Sequence, residues 1–334
     1  MTRFHSGSEQ AGATRGKVLI FIAAIVVALG LAYWLHHLFE GERLLPDLLR
    51  ERRLSRLSLQ ELDLRWQANE TSDLIVSLTT IPSRISRLET VLKGLIDQSR
   101  PPKKIVLNVP DESLREDEPY VIPEALSGLA FLEIRRGRDW GPATKLIPTL
   151  LDAAPDQVIV VVDDDRIYPR DFLETFEKGM ADHPNTALTM AGWVVPEDYL
   201  DRPTTILSNI LQKPSAPVRG HRQRRLFPVD VFMGVFGYAV QPRFFDLEEL
   251  TDFSDTPRAA FLADDVRSSA LCHAPRRVLP CKGLSFLPKA DAVHYKATAL
   301  GNLNRGNGAL EDRNNSKAIR HYADRWQVGG PAKR

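Results

Sequence analysis

Residues 158–169 read VIVVVDDDRIYP. A continuous apolar run of five residues is a strand buried on both faces, and such strands belong to largely parallel sheets. Three aspartates follow it directly, then a helical pattern carried by Phe172, Leu173 and Phe176. Outward from this stretch the same grammar repeats in LIVSL (74–78), IVLNV (105–109) and FLEI (131–134). Ile85, Leu88, Leu92, Leu95 and Ile96 stand at helical spacing between the first two runs, and a second helical stretch ends at residues 149–154. Strand, helix, strand repetition predicts an α/β fold with right-handed crossovers, a Rossmann-type mixed sheet flanked by helices. Ligands of such sheets bind beyond the carboxyl ends of the strands, so the loops after these runs hold the candidate site.

Asp163, Asp164 and Asp165 sit at such an end. Adjacent carboxylates at the end of a buried strand repel one another and each loses hydration, so a hard divalent cation with oxygen ligands is their natural partner. The plainer alternative is a cap for the next helix, which needs one acid and not three. No G-x-G-x-x-G follows a strand and no G-x-x-x-x-G-K-[ST] occurs, which argues against dinucleotide oxidoreductases and P-loop ATPases. Lys and Arg number 44 against 43 Asp and Glu, so the chain is no globally basic nucleic-acid binder. Its 43% hydrophobic content suffices for a substantial core across 334 residues. Two cysteines, Cys272 and Cys281, make no disulfide scaffold and no zinc ribbon, and leave one bridge open in an oxidising compartment.

Residues 18–35, VLIFIAAIVVALGLAYWL, form an uncharged apolar run. As a helix it rises about 27 Å, close to the hydrocarbon thickness of a bilayer. Tyr33 and Trp34 mark one interface and Lys17 the other. A cleaved signal peptide has a shorter apolar region and an A-x-A-like site, which is missing here. The expected layout is an N-terminal tail (1–17), a transmembrane helix (18–37), a helical stem (38–72), a catalytic body (73–302) and a polar C-terminal tail (303–334) whose last residues lack order. Three Lys/Arg precede the span and five follow within residues 38–57, so the positive-inside count puts the body on the cytosolic side of a single-pass protein. Leu45, Leu48, Leu49 and Leu57 around RERRLSR suggest an amphipathic stem, either against anionic headgroups or simply solvated. A chain starting near Thr71 is then expected to be soluble.

Four stretches in order, LIVSLTTIPSR, GPATKL, VVVDDDRIYP and ADDVRSSAL, resemble the nucleotide-sugar glycosyltransferases of the GT-A fold, family 2 and its relatives in particular. The last three are similar to that family's G-P-A-x-A-R stretch, D-x-D region and E-D-x-x-L region. The resemblance spans residues 74 to about 300. It implies a GT-A-like domain and transfer of a sugar from a UDP- or GDP-linked donor, with Mn2+ or Mg2+, to the hydroxyl of a glycan, lipid-linked or other acceptor. It further implies that Thr79, Thr80 and Arg84 hold the nucleotide, as does Lys145 in the place of the family's arginine. Asp163 would face the ribose and Asp165 the metal, with Asp163 and Asp164 each open to either role. Asp265 stands where the family has its general base for inverting transfer, and Asp264 replaces the family's glutamate. An N-cap pair for the helix beginning there is the competing explanation of Asp264 and Asp265.

Other features are less specific. Gly234 and Gly237 interrupt an apolar run, VDVFMGVFGYAVQPRFF, either to admit a ligand or to allow tight β packing. His294, following a late strand expected in KADAVHYKA, is a candidate metal ligand, since many GT-A enzymes place a C-terminal histidine on the metal. Arg219, His221, Arg222, Arg224 and Arg225 lie among prolines and read as a mobile basic loop, solvated or near anionic lipid. Two other functions share parts of this pattern. A sugar nucleotidyltransferase would need a glycine-rich first loop where TTIPSR stands. A catalytically silent, membrane-tethered sugar-binding or scaffold protein would not need all the acids.

Overall fold

The computed structural model describes residues 6–214, 216–305 and 308–331. The ends of the two expected tails, residues 1–5 and 332–334, lie outside the described residues. Among the described residues eleven strands form two sheets: β1 (Ile75–Thr79), β2 (Lys104–Pro110), β3 (Leu132–Gly137), β4 (Ile159–Val161), β5 (Ala187–Thr189), β6 (Ala191–Trp193), β7 (Val218–Arg219), β8 (Phe227–Pro228), β9 (Val231–Phe232), β10 (Tyr238–Val240) and β11 (Arg276–Val278). The main sheet has the order β3-β2-β1-β4-β10-β5-β11-β8, and β7-β6-β9 make a small antiparallel one. β3, β2, β1 and β4 run parallel, β10 is antiparallel to both neighbours, and β11 is again parallel to β5. This is an α/β protein built on a mixed sheet flanked by helices.

The apolar runs become strands where the sequence places them, and Val76, Leu78, Leu107, Val160 and Val161 are fully buried. FLEI differs. Phe131 is fully buried, but β3 is an edge strand with a single neighbour, so most of its residues stay half-exposed and Glu133 pairs with Lys104 and Arg135 instead. The helical spacing around Leu88 resolves into two helices, Pro82–Ile85 and Glu89–Ile96, the first with proline in its opening turn, where the missing N–H costs nothing. Phe172, Leu173 and Phe176 face the core from the helix Phe172–Asp182.

Three parts depart from expectation. The stem is not a detached linker: its helices Leu44–Leu54 and Leu59–Gln67 bury Leu54, Leu59 and Leu62. Arg50 there donates to the carbonyls of Tyr168, Gly94 and Asp97. A body cut at Thr71 would leave these contacts open. The C-terminal stretch also folds onto the body. Helix Asn314–His321 buries Ala318 and Ile319, Trp326 is 6% exposed, and the N–H groups of Gln327, Val328 and Gly329 donate to the fully buried Asp230 carboxylate. The segment looked polar because a short helix needs few apolar residues on its one inward face. Finally, Arg219 belongs to β7 and is buried against Asn209, and His221 and Arg222 are hydrogen-bonded, so only the Arg224 and Arg225 end of the basic stretch is exposed. Cys272 and Cys281 are both free.

The apolar N-terminal run lies in the helix Ser6–Glu40, and its section Gly16–Glu40 is long and apolar enough to cross a membrane. None of its most apolar stretch is buried against the body.

Candidate active site

β1 connects on one side to β2 and β3, while β4 pairs on the other side of β1. The chain thus reverses its direction of travel between β1 and β4. A crevice opens at the carboxyl ends of two such strands because their following loops part in opposite directions. Ser77 pairs with Val161 in the register, so Thr79 and Thr80 emerge beside Asp163, Asp164 and Asp165. A cavity of about 830 Å³ occupies this place, and it receives all three aspartates, Lys145, Asp264 and Asp265. Lys145 ends the 3-10 turn Gly141–Lys145 and the acid pair opens helix Asp264–Leu271.

The Lys145 ammonium stands among three carboxylates, 2.8 Å from Asp163, 3.0 Å from Asp264 and 3.2 Å from Asp265. Burial would lower its pKa, but Asp163, Asp264 and Asp265 together outweigh burial and hold it well above the ordinary lysine value. Lys145 is therefore a fixed positive charge that ties the loop of Asp163, Asp164 and Asp165 to the acid pair. Exposure separates the carboxylates: the side chains of Asp163 and Asp265 are each 29% exposed and face the cavity, whereas Asp264 is 7% exposed. Burial, reinforced by Asp264 and Asp163 against the opposing pull of Lys145, raises Asp265 to about 7. Its Oδ2 accepts the Gly234 N–H at 2.9 Å. Helix capping does not account for the pair, since the cap position is Ala263 and no side-chain cap bond forms.

Asp164 is committed elsewhere. It accepts from the Thr80 hydroxyl at 2.6 Å and from Arg84 at 2.7 Å. Arg84 also donates to the Tyr295 carbonyl and the Thr298 hydroxyl, so this guanidinium buttresses the acidic loop and locks the segment around 295–298 against it. Thr79 donates to the Asn108 carbonyl and lines the cavity only from β1. His294 binds the Ser83 carbonyl at 3.0 Å and is not among the residues lining the cavity, so the structure does not gather it with the aspartates. The late run that holds it is a helix, Ala292–Ala297, and not a strand.

Among the described residues no group of three or more His, Cys, Asp or Glu is arranged to hold a metal ion by itself. Mg2+-type sites commonly take only one or two carboxylates, the remaining positions going to water and to substrate phosphates. Asp165 fits such a role. Its Oδ1 is buried without a hydrogen bond, with Arg166 Nε 3.8 Å away, while its Oδ2 accepts from Arg84 at 3.4 Å. Burial, with Asp164 and Asp163 adding to it, raises the Asp165 carboxyl to about 6 against the opposing pull of Arg166 and Arg84.

The sequence leaves the part played by two residues open. Gly234 approaches the cluster so closely that a Cβ would fall on the Lys145 ammonium and come within 3.0 Å of Oδ1 of both Asp163 and Asp265. Its glycine signal was present, but its charged neighbours are remote in sequence. Tyr168 is fully buried and its hydroxyl accepts the Asp163 N–H at 3.1 Å, fixing the start of the acidic loop. In the sequence it stands within VVVDDDRIYP with no sign of this contact.

No protein-family model matches the chain, and no curated protein does. Among solved structures it is similar to the mannosyltransferase PcManGT from Pyrobaculum calidifontis in complex with GDP-Man and Mn2+, at 18% identity over 90% of this chain and 82% of that one, with a TM-score of 0.42. It is also similar to residues 1–349 of TarS from S. aureus, at 15% identity over 75% of this chain and 71% of that one, with a TM-score of 0.38. A third is GalNAc-T7 with UDP, GalNAc and Mn2+, at 13% identity and a TM-score of 0.41, where the match covers 62% of this chain and 42% of the other.

Proposed function

We propose that the chain is a membrane-anchored, divalent-metal-dependent glycosyltransferase of GT-A type. The observation that carries this reading is the division of labour in one cavity at the switch point. Asp163 and Asp165 reach it from the end of β4, and Asp265 reaches it from the start of helix Asp264–Leu271, across the Lys145 ammonium from Asp163, with its side chain 29% exposed. Asp163 and Asp165 would hold Mn2+ or Mg2+, and the bound cation would neutralise the diphosphate of a UDP- or GDP-sugar as it leaves. Thr80 and Arg84 hold Asp164, and through it the acidic loop, in place. Thr79 and Thr80 line the nucleotide side of the cavity.

Asp265 is the general base of an inverting displacement. It removes the proton of the acceptor hydroxyl while that oxygen bonds to the anomeric carbon and the bond from that carbon to the diphosphate oxygen breaks. A carboxyl raised to about 7 is a stronger base than a free aspartate, and Lys145 with the Gly234 N–H keeps its orientation. Asp264, nearly closed off from the cavity, neutralises Lys145. The acceptor is a glycan, a lipid-linked molecule or another hydroxyl compound.

The apolar helix supports a single-pass anchor over residues 18–37, and the Lys/Arg count supports a cytosolic body. Nucleoside diphosphate release from UDP- and GDP-sugars, measured with and without Mn2+, tests the activity. Loss of release in Asp165→Asn with the fold intact supports the reading, and metal-independent release contradicts it. Cysteine accessibility on either side of sealed vesicles tests the orientation.

A further inference from the structure

Helix Ile206–Leu211 is built inside out for a soluble protein. Ile206 is 77% exposed, Leu207 67%, Ile210 49% and Leu211 53%, while its buried residue is Asn209. At about 100° per residue the four apolar side chains fill an arc of about 140°, and that arc points away from the body. The helix is nevertheless well defined. Thr205 caps its start reciprocally with Ser208, and Gln212 ends it in the left-handed region at φ 49°.

Asn209 and Ile210 tie the helix to the end of the membrane span. Arg219 donates to the Asn209 side chain, and Arg222 donates to the Asn209 and Ile210 carbonyls. One residue before Arg222, His221 hydrogen-bonds the Leu38 carbonyl at 3.2 Å and its ring lies 5.1 Å from that of His37. Leu38 is one helical turn beyond Trp34, about 6 Å along the axis, which is about the depth of one headgroup layer. Helix Ile206–Leu211 is thus tethered, through Arg222 and its neighbour His221, to a residue one turn past the end of the span.

Charge points the same way. From Arg202 to Val229 the sequence has no acidic residue and six Lys or Arg, and Lys213, Arg224 and Arg225 are exposed. Apolar side chains with a cationic surround suit an interfacial helix on an anionic bilayer. We propose that helix Ile206–Leu211 inserts into the headgroup boundary of the bilayer that the N-terminal helix crosses, giving the body a second, non-spanning membrane contact. This rests on the reading of residues 18–37 as a membrane anchor.

The test uses the full chain, with Cys281→Ser to leave only buried Cys272, reconstituted in phosphatidylcholine/phosphatidylglycerol vesicles carrying doxyl-labelled acyl chains. An environment-sensitive fluorophore is placed at Leu207→Cys, at Val27→Cys in mid-span and at Val121→Cys, an exposed apolar site elsewhere on the body. The expected result is quenching at residue 207 several-fold above that at residue 121 and stronger with a shallow doxyl label than a deep one, with the reverse depth order at residue 27. Arg224→Glu with Arg225→Glu should reduce quenching at 207 and leave that at 27 unchanged. Quenching at 27 with none at 207 overturns the surface contact and spares the anchor; quenching at neither overturns both. A blue-shifted probe at 207 that no lipid quenches and that responds to protein concentration would assign the arc to a second copy of the chain and overturn the proposal.

Discussion

Lys145→Met removes the one cation that three carboxylates share. With Nζ gone, Asp163, Asp264 and Asp265 face one another across the space it filled, and Asp264, 7% exposed, has almost no water to replace the lost charge. Breaking a buried ion pair by deleting one partner costs about 3–5 kcal/mol, which corresponds to a fall in Tm on the order of 10 °C for a chain of this size. The penalty has a sign in pH. Without Lys145, Asp264 and Asp265 are raised further in the folded state, so the loss grows as the pH rises through their folded values and is larger at pH 8 than at pH 5. It shrinks as the pH falls and the folded acids take up protons. Thermal unfolding of the full chain in detergent at pH 8 and pH 5, wild type against Lys145→Met, reads this directly. The variant should be strongly destabilised at pH 8 and recover much of the difference at pH 5. Equal stability at pH 8, or a deficit independent of pH, would refute the view of Lys145 as the charge that holds the cluster together.

Asp265→Asn should lower turnover by roughly 10²–10⁴-fold with donor affinity kept, while Asp264→Asn should cost less turnover; steady-state kinetics and nucleotide binding separate the two. A chain beginning at Gly41 should remain folded, whereas one beginning at Thr71 loses the burial of Leu54, Leu59 and Leu62, together roughly 5–9 kcal/mol, and should aggregate or lose its cooperative transition in circular dichroism. Trp326→Ala should destabilise by about 3–5 kcal/mol in chemical denaturation, since this side chain is buried and its indole N–H donates to the Ile319 carbonyl. Burial, aided by His37, Arg219 and Arg222, lowers His221 to about 4, so as the pH falls from 6.5 towards 4 the unfolded chain takes up a proton that the folded one refuses. Stability should decline in that window by at most about 3 kcal/mol, and His221→Gln should flatten the profile.

The sheet was legible because buried strands and amphipathic helices write their periods locally: β1, β2 and β4 lie on the runs LIVSL, IVLNV and VIVVV. The acidic loop and the acid pair were also legible as residue types at element ends. What each carboxylate does was not. Asp163 and Asp164 are neighbours with the same side chain, yet one is bound to Lys145 and the other to Thr80 and Arg84, because partners from residues 80, 84 and 145 arrive through the fold. The same limit hid the stem and the C-terminal segment. Leu54 and Trp326 are isolated apolar residues in polar surroundings, and only the tertiary structure supplies the surfaces that cover them.

Nucleoside diphosphate release from a panel of UDP- and GDP-sugars, by the full chain with Mn2+ and after chelation, addresses the central claim most directly. The account predicts release from at least one donor, dependent on the metal and lost in Asp165→Asn. A folded protein that neither cleaves nor binds any donor in the presence of Mn2+ would contradict it.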